Sequence, residues 1–244
     1  CRAGAAVAID LEDFGVLACS SYPSYDENLY LTDSDYRTAA LMDEDQSLFC
    51  RALNGVYAPG SVFKPMVAIA GLQEGVMSDG DGLYDCDGPG LVGVFEYHDL
   101  KLHCTDKHGW ANLYEAIAGS CNCYFAKLGL DLGIKRLDAY ANYFGLGSLT
   151  GVELSESVGN MTSPQSYQQI HSERGDEWTD GNTAQAAIGQ ADNWFTTMQL
   201  AAYTATIANN GVRMKAHFLE EVTDYSRQDL VRRYEPEVLY DAML

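Results

Sequence analysis

The chain has 244 residues, 47% hydrophobic and 20% charged, a balance that supports one large domain or a domain with an inserted lobe and argues against disorder. Against 35 Asp and Glu there are only 15 Lys and Arg, a formal net charge of −20, so the basic face that a nucleic-acid duplex or an anionic membrane surface requires is missing. The acidity reads as a soluble surface kept monodisperse by self-repulsion, and no apolar run reaches the roughly 18 residues that a transmembrane helix needs.

Ala5 to Ile9 and Val16 to Ser20 are short apolar runs separated by a turn-rich Asp10–Gly15 link, which predicts a β-hairpin. Residues 23 to 47 are polar, with Tyr and Asp recurring, and read as surface loop. Residues 61 to 74 predict a mostly apolar helix, delivered by Pro59-Gly60 and stopped by Gly75; Pro65 is tolerated near its first turn. So much apolar surface on one helix implies burial in the domain centre. Residues 76 to 111 are rich in Gly, Asp and His. Asn112 followed by Glu115 is a helix start with a cap and a capping-box partner. That helix runs toward Gly129, with a break near Gly119. Residues 134 to 144 form an amphipathic helix stopped by Gly145, and Thr197 to Asn209 another, capped by Thr and closed near Gly211. Residues 217 to 223 and 229 to 234 read as a final strand pair. Strands at both ends of a helical middle predict an α/β domain, its sheet assembled from distant segments and a helical lobe inserted between them.

Ser61-Val62-Phe63-Lys64 carries the candidate chemistry. On a helix, residues three apart share a face, so the Ser61 and Lys64 side chains can meet. A Ser hydroxyl is a weak nucleophile until a neighbouring base takes its proton. A Lys becomes that base when burial lowers its pKa, and such help is worth roughly 10²–10⁴-fold in rate. Ser-x-x-Lys alone is common as a helix cap followed by a solvated Lys. Here, however, the Lys lies in an otherwise apolar helix, where an unused charge is expensive. Ser120-Cys121-Asn122, at the helix break, adds a hydroxyl for proton relay and an amide for a peptide group, although Ser-x-Asn is frequent in turns and caps.

Taken together, these segments resemble the class B, monofunctional penicillin-binding transpeptidases. Tyr57-Ala58-Pro59-Gly60-Ser61-Val62-Phe63-Lys64-Pro65 looks like that family's nucleophile segment, and Ser120-Cys121-Asn122-Cys123-Tyr124-Phe125 like its second motif. Phe144-Gly145-Leu146-Gly147, Ala187-Ile188-Gly189-Gln190 and Ala208-Asn209-Asn210-Gly211 are similar to later family stretches, and Ser20 to Asp26 to the loop after the first hairpin. The co-occurrence in order is far more specific than any one motif. The resemblance implies a serine β-lactamase/D,D-peptidase-like fold: a central antiparallel sheet flanked by helices, a mostly helical lobe, and a cleft between them.

It also implies a peptidoglycan D,D-transpeptidase. Ser61 would be acylated by the penultimate D-Ala of a stem peptide, with Lys64 taking its proton, Ser120 relaying a proton to the leaving group, and Asn122 holding the substrate amide. β-Lactams would react with the same Ser. Elongation or division proteins would be partners, no organic cofactor would be needed, and the enzyme would sit on the extracytoplasmic face of the bacterial cytoplasmic membrane, tethered by an N-terminal helix. The family's third motif, Lys-Thr-Gly, does not occur in residues 1 to 244. The chain end at Tyr240-Asp241-Ala242-Met243-Leu244 is where that motif is approached, and reads as truncation that would leave the chain a poor catalyst alone. A β-lactamase or β-lactam sensor of the same superfamily, and a non-catalytic cell-wall scaffold, are the alternatives.

Seven cysteines stand at positions 1, 19, 50, 86, 104, 121 and 123, an odd number without even spacing. Cys86, Cys104 and His108 precede the second motif. A Cys86–Cys104 disulfide, a structural zinc completed by Asp87, His103 or Cys123, and free thiols are all open at this point; the resemblance to class B relatives, some of which carry zinc near this position, keeps the metal reading level with the disulfide. Cys121 and Cys123 read as small buried residues.

Overall fold

The computed structural model describes residues 2–173 and 175–241. Cys1 and the chain end from residue 242 onward lie outside the described residues, and with them the readings that fell there. In chain order the elements are β1 (Gly4–Ile9), β2 (Val16–Tyr22), α1 (Glu27–Thr32), α2 (Ser34–Leu41) and β3 (Val56–Tyr57). A 3-10 turn (Gly60–Phe63) leads into α3 (Lys64–Gln73), followed by β4 (Val94–Tyr97), β5 (Leu100–His103), α4 (Leu113–Ala118), α5 (Asn122–Leu132) and α6 (Ile134–Tyr143). Then come α7 (Pro164–Ile170), α8 (Asp180–Ala187), β6 (Phe195–Thr196), α9 (Thr197–Ala208), β7 (Val212–Met214), β8 (Glu221–Thr223), β9 (Leu230–Arg233) and β10 (Val238–Asp241). The chain forms two compact units: residues up to Tyr57, Phe144–Gly159 and from Phe195 onward make one; Ala58–Tyr143 and Asn160–Trp194 make the other.

The first unit is sheet-bearing. β1 and β2 pair antiparallel, as the two short apolar runs and the turn-rich link predict. The turn between them is closed by carboxylates: Asp10 Oδ1 accepts from Glu12 N at 2.7 Å and Asp13 Oδ1 from Gly15 N at 2.8 Å. Helix α9 packs on β1. Its cap is Thr196, in a capping box with Gln199, whose buried amide donates to Ser148 O and Val158 O, both at 2.7 Å. Leu53, Val152, Met198 and Ala216 are buried together here. β7 pairs with β10, and β8 with β9 as predicted. The expected loop over residues 23 to 47 is corrected: it contains α1 and α2. Single carboxylates, Asp26 and Asp33, cap these helices, which bury no residue and so show no apolar period.

The second unit is the mostly helical one. Helix α5 packs against α3 and α8, and α6 against α3. Close approach requires glycine: a Cβ on Gly129 of α5 would lie 2.2 Å from Ala187 Cβ, and one on Gly71 of α3 would lie 2.9 Å from Leu128. Phe63, Met66, Val67, Ala70, Phe125 and Leu128 form the apolar centre. The predicted break near Gly119 is present, between α4 and α5. Segment 76 to 111 carries the β4–β5 hairpin, which its Gly-rich composition did not announce. Among the described residues, no helix is long and apolar enough to cross a membrane.

Candidate active site

All four residues singled out from the two sequence motifs lie in the helical unit. Ser61 is presented by a turn that uses the conformational freedom of glycine. Gly60 has φ +56°, and its N–H donates to Gly189 O at 2.9 Å. Gly189 is itself at φ +71°, and a Cβ there would lie 2.1 Å from Gly60 O, so only glycine lets the two backbones touch. Motif reasoning gave Gly189 no individual role; its place in Ala187-Ile188-Gly189-Gln190 was the one signal. The 3-10 turn then passes into α3, with Pro65 in the first turn, where its missing N–H costs nothing. Ser61 is exposed, whereas Lys64, one turn on, is only 2% exposed.

Ser120 and Asn122 sit where α4 gives way to α5. Asn112 and Glu115 make the predicted capping box, and Gly119 ends α4. Ser120 takes φ +53°, a left-handed conformation unusual for a residue with a Cβ. Cys121 then caps α5, its Sγ accepting from Tyr124 N at 3.4 Å, and Asn122 is the first helical residue.

These elements bring the four side chains into one network. Lys64 Nζ donates to Ser120 O at 2.6 Å, Ser120 Oγ at 3.0 Å and Asn122 Oδ1 at 2.7 Å. Ser120 Oγ donates to Ser61 Oγ at 2.7 Å. The three ammonium protons are thereby matched to three acceptors. Direct Ser61–Lys64 contact was the expectation from helical spacing; in this structure the hydrogen-bonded route between them runs through Ser120. Burial lowers the Lys64 pKa from its ordinary value, opposed by charge at Cys104, Cys121 and Cys123. The Phe125 ring lies 5.6 Å from Nζ.

Behind Asn122 lies a thiol cluster. The Sγ atoms of Cys86, Cys104, Cys121 and Cys123 are all within 4.8 Å of one another, and all four residues are buried. His108 Nδ1 is 3.5 Å from both Cys86 Sγ and Cys104 Sγ. The structure brings the sequence candidates Cys86, Cys104 and His108 together. Sequence reasoning missed Cys121, which is buried as expected but belongs to the cluster along with Cys123. Of the other fourth-ligand candidates, Asp87 is instead paired with Lys107 at 2.7 Å, and His103 is exposed. Cys86 and Cys104 are unlinked thiols in this structure. Two glycines leave room for the donors: a Cβ on Gly93 would lie 2.3 Å from Cys86 Sγ, and one on Gly119 2.6 Å from the His108 ring. Hydrogen bonds from Cys121 and Cys123 hold the Cys104 thiol well below its ordinary pKa, and the Cys104 contact pushes Cys121 up to about 12. The cluster reaches the catalytic candidates directly. Asn122 N donates to Cys104 Sγ at 3.2 Å, and Asn122 Nδ2 to His103 O at 3.1 Å.

Residues 4–238 match the penicillin binding protein transpeptidase domain family, and the chain belongs to it, on the class B side. It is 37% identical over 222 residues to the peptidoglycan D,D-transpeptidase MrdA of Acinetobacter baumannii, covering 89% of this chain and 32% of that protein. It is 33% identical over 240 residues to MrdA of Escherichia coli, covering 96% and 37%. The chain therefore spans about a third of the length of these curated relatives. The crystal structure of Pseudomonas aeruginosa PBP2 in complex with WCK 5153 superposes with a TM-score of 0.82 at 33% identity, covering 97% of this chain and 50% of that one. The fold class expected from the sequence is the one these neighbours share.

Proposed function

We propose that this chain carries the acyl-transfer machinery of a peptidoglycan D,D-transpeptidase, with Ser61 as nucleophile. The observation that supports the reading most is the unbroken hydrogen-bonded path Ser61–Ser120–Lys64, closed by Asn122. With Lys64 neutral, both hydroxyl hydrogen bonds reverse. Ser61 Oγ then attacks the carbonyl of the penultimate D-Ala of a stem peptide, its proton passing to Ser120 and the Ser120 proton to Lys64 Nζ. The Ser61 N–H serves the developing oxyanion; one such donor is worth about 2.7–4 kcal/mol in other enzymes. The same relay run backward protonates the departing D-Ala amine, and an amine of a neighbouring strand then attacks the acyl-enzyme. Asn122 uses Oδ1 on Lys64 and one Nδ2 hydrogen on His103 O, leaving the second for the substrate amide.

The thiol cluster fits a structural zinc. Cys86, Cys104 and His108, with Cys121 and Cys123 beside them, are the donors such an ion takes; they are already gathered, the four cysteines buried and His108 half-buried. The ion would supply no chemistry to the reaction; it would fix Cys104 and Cys121, and through them Asn122 and Ser120. Metal analysis of protein purified without chelator is expected to find about one zinc per chain, and metal-free protein overturns this part of the reading.

A complex of PBP2 with MreC from Helicobacter pylori, 28% identical to this chain with a TM-score of 0.77, supports a cell-wall elongation partner. Family membership supports reading the enzyme as acting on the outer face of the cytoplasmic membrane, where a peptidoglycan substrate lies. The test of the central claim is an intact-mass time course of the full-length protein with a penicillin, beside Ser61→Ala. A long-lived single adduct absent from the variant is expected. An adduct that forms and vanishes within seconds makes the protein a β-lactamase, and no adduct makes it a scaffold.

A further inference from the structure

Cys19 and Cys50 stand apart from the cluster beside Asn122, in the sheet-bearing unit. Cys19 and Ser21 are the half-buried positions of β2's two-residue alternation and share one face of the strand. Ser21 Oγ fastens the following segment to that face: it accepts from Ala52 N at 3.1 Å and donates to Cys50 Sγ at 3.9 Å. Cys19 and Cys50 both pack against Leu53, Val152, Met198 and Ala216. Burial first, then the neighbouring Cys50 sulfur, pushes the Cys19 thiol up. Two thiols gathered on one cluster can undergo two-electron oxidation to a disulfide.

We propose that Cys19 and Cys50 are a disulfide site that staples β2 to the turn running into β3. Thiol–disulfide exchange with a small-molecule or protein disulfide balances the step. The Cys50 thiolate attacks the oxidant's disulfide and releases one thiol; the Cys19 thiolate then attacks the mixed disulfide and releases the second. One sulfur–sulfur bond breaks and one forms, the oxidant gains two electrons, and the two cysteine protons leave on its thiols. The fold gives the link a purpose. The segment it encloses holds α1 and α2, which bury no residue, so closing it removes unfolded-state freedom from a part of the unit weakly anchored by packing. Both ends are already held, one by β1–β2 pairing and the other by Ser21 and the turn hydrogen bonds from Leu53 N and Asn54 N to Cys50 O.

The experiment equilibrates the folded protein, with zinc present, in oxidised and reduced glutathione, alkylates it, and maps peptides without reduction. A linked pair of peptides containing Cys19 and Cys50, separated by reductant, is expected. The oxidised protein should melt roughly 5–10 °C above the reduced one, with no such difference in Cys50→Ser or Cys19→Ser. Recovery of both cysteines alkylated in the oxidised sample, as separate glutathione adducts, or joined to other cysteines overturns the proposal.

Discussion

The two ends of the catalytic network are held by different physics. Ser61 and Lys64 are fixed by hydrocarbon: the residues that follow them on α3, Met66, Val67 and Ala70, are buried, and Phe63 between them is fully so. Ser120 and Asn122 are fixed by polar and sulfur contacts at a helix break: a left-handed Ser120, a Cys121 cap, and the Cys104 and His103 acceptors for Asn122. Apolar packing is redundant, because many contacts share the task. A hydrogen bond to one thiol is not redundant, and it depends on whether that thiol is free, metal-bound or oxidised. The packing that places the nucleophile side is thus indifferent to the state of the cysteines, which reaches Lys64 only through their charge, whereas the placement of the relay side is sensitive to it.

Lys64 joins the two ends, so its loss should have the largest effect on acylation. Lys64→Met is expected to lower the second-order rate constant for acylation by a fluorescent penicillin roughly 10²–10⁴-fold. Lys64→Arg should not rescue it, because a guanidinium stays protonated. The pH profile sharpens the point. The neutral amine is the base, and burial lowers its pKa from 10.5. Acylation should therefore rise with pH as the amine deprotonates and level off below pH 10.5, where an ordinary lysine would still be climbing. A wild-type profile that rises through 10.5 without a plateau would exclude Lys64 as the base.

The same contrast explains what could be read from the sequence. Ser61 and Lys64 were legible because helical spacing and an apolar run are local patterns. The hairpin of β1 and β2, the capping box at Asn112 and the stop at Gly75 were legible for the same reason. Ser120 and Asn122 took on meaning only through family resemblance, since a hydroxyl and an amide at a helix break have no distinctive local pattern. Cys121 was missed as a member of the cluster because its partners come from a hairpin segment remote in sequence. Helices α1 and α2 were missed because their carboxylate caps look like loop composition when no apolar face accompanies them. Gly189 was seen only as part of a run; its need for glycine arises from contact with Gly60, a long-range fact.

A middle-sized effect should come from the relay side. Cys104→Ala removes the acceptor for Asn122 N, a contribution of about 1 kcal/mol to the alignment of that helix start. Acylation is expected to fall roughly fivefold, the rate equivalent of about 1 kcal/mol. If zinc holds the cluster, a strong chelator should lower the wild-type rate in the same direction and leave the Cys104→Ala rate unchanged. A variant that acylates at the wild-type rate would show that Asn122 is held by other means.

The smallest effect on rate, paired with a large effect on stability, belongs to the nucleophile side. Met66 is fully buried on α3, two residues beyond Lys64. Met66→Ala should destabilise the protein by about 2–5 kcal/mol through lost burial and the cavity left behind. The shift is measurable as a lower denaturation midpoint. The Gly60–Gly189 contact and the first turn of α3, which aim Ser61, do not use the Met66 side chain. Acylation per folded molecule, corrected for the unfolded fraction, should then change by no more than about twofold, the scale of a few tenths of a kcal/mol. A tenfold loss with the fold intact would mean that core packing on α3 tunes the nucleophile itself. The distinction between a robust hydrocarbon-held end and a sensitive sulfur-held end would then fail.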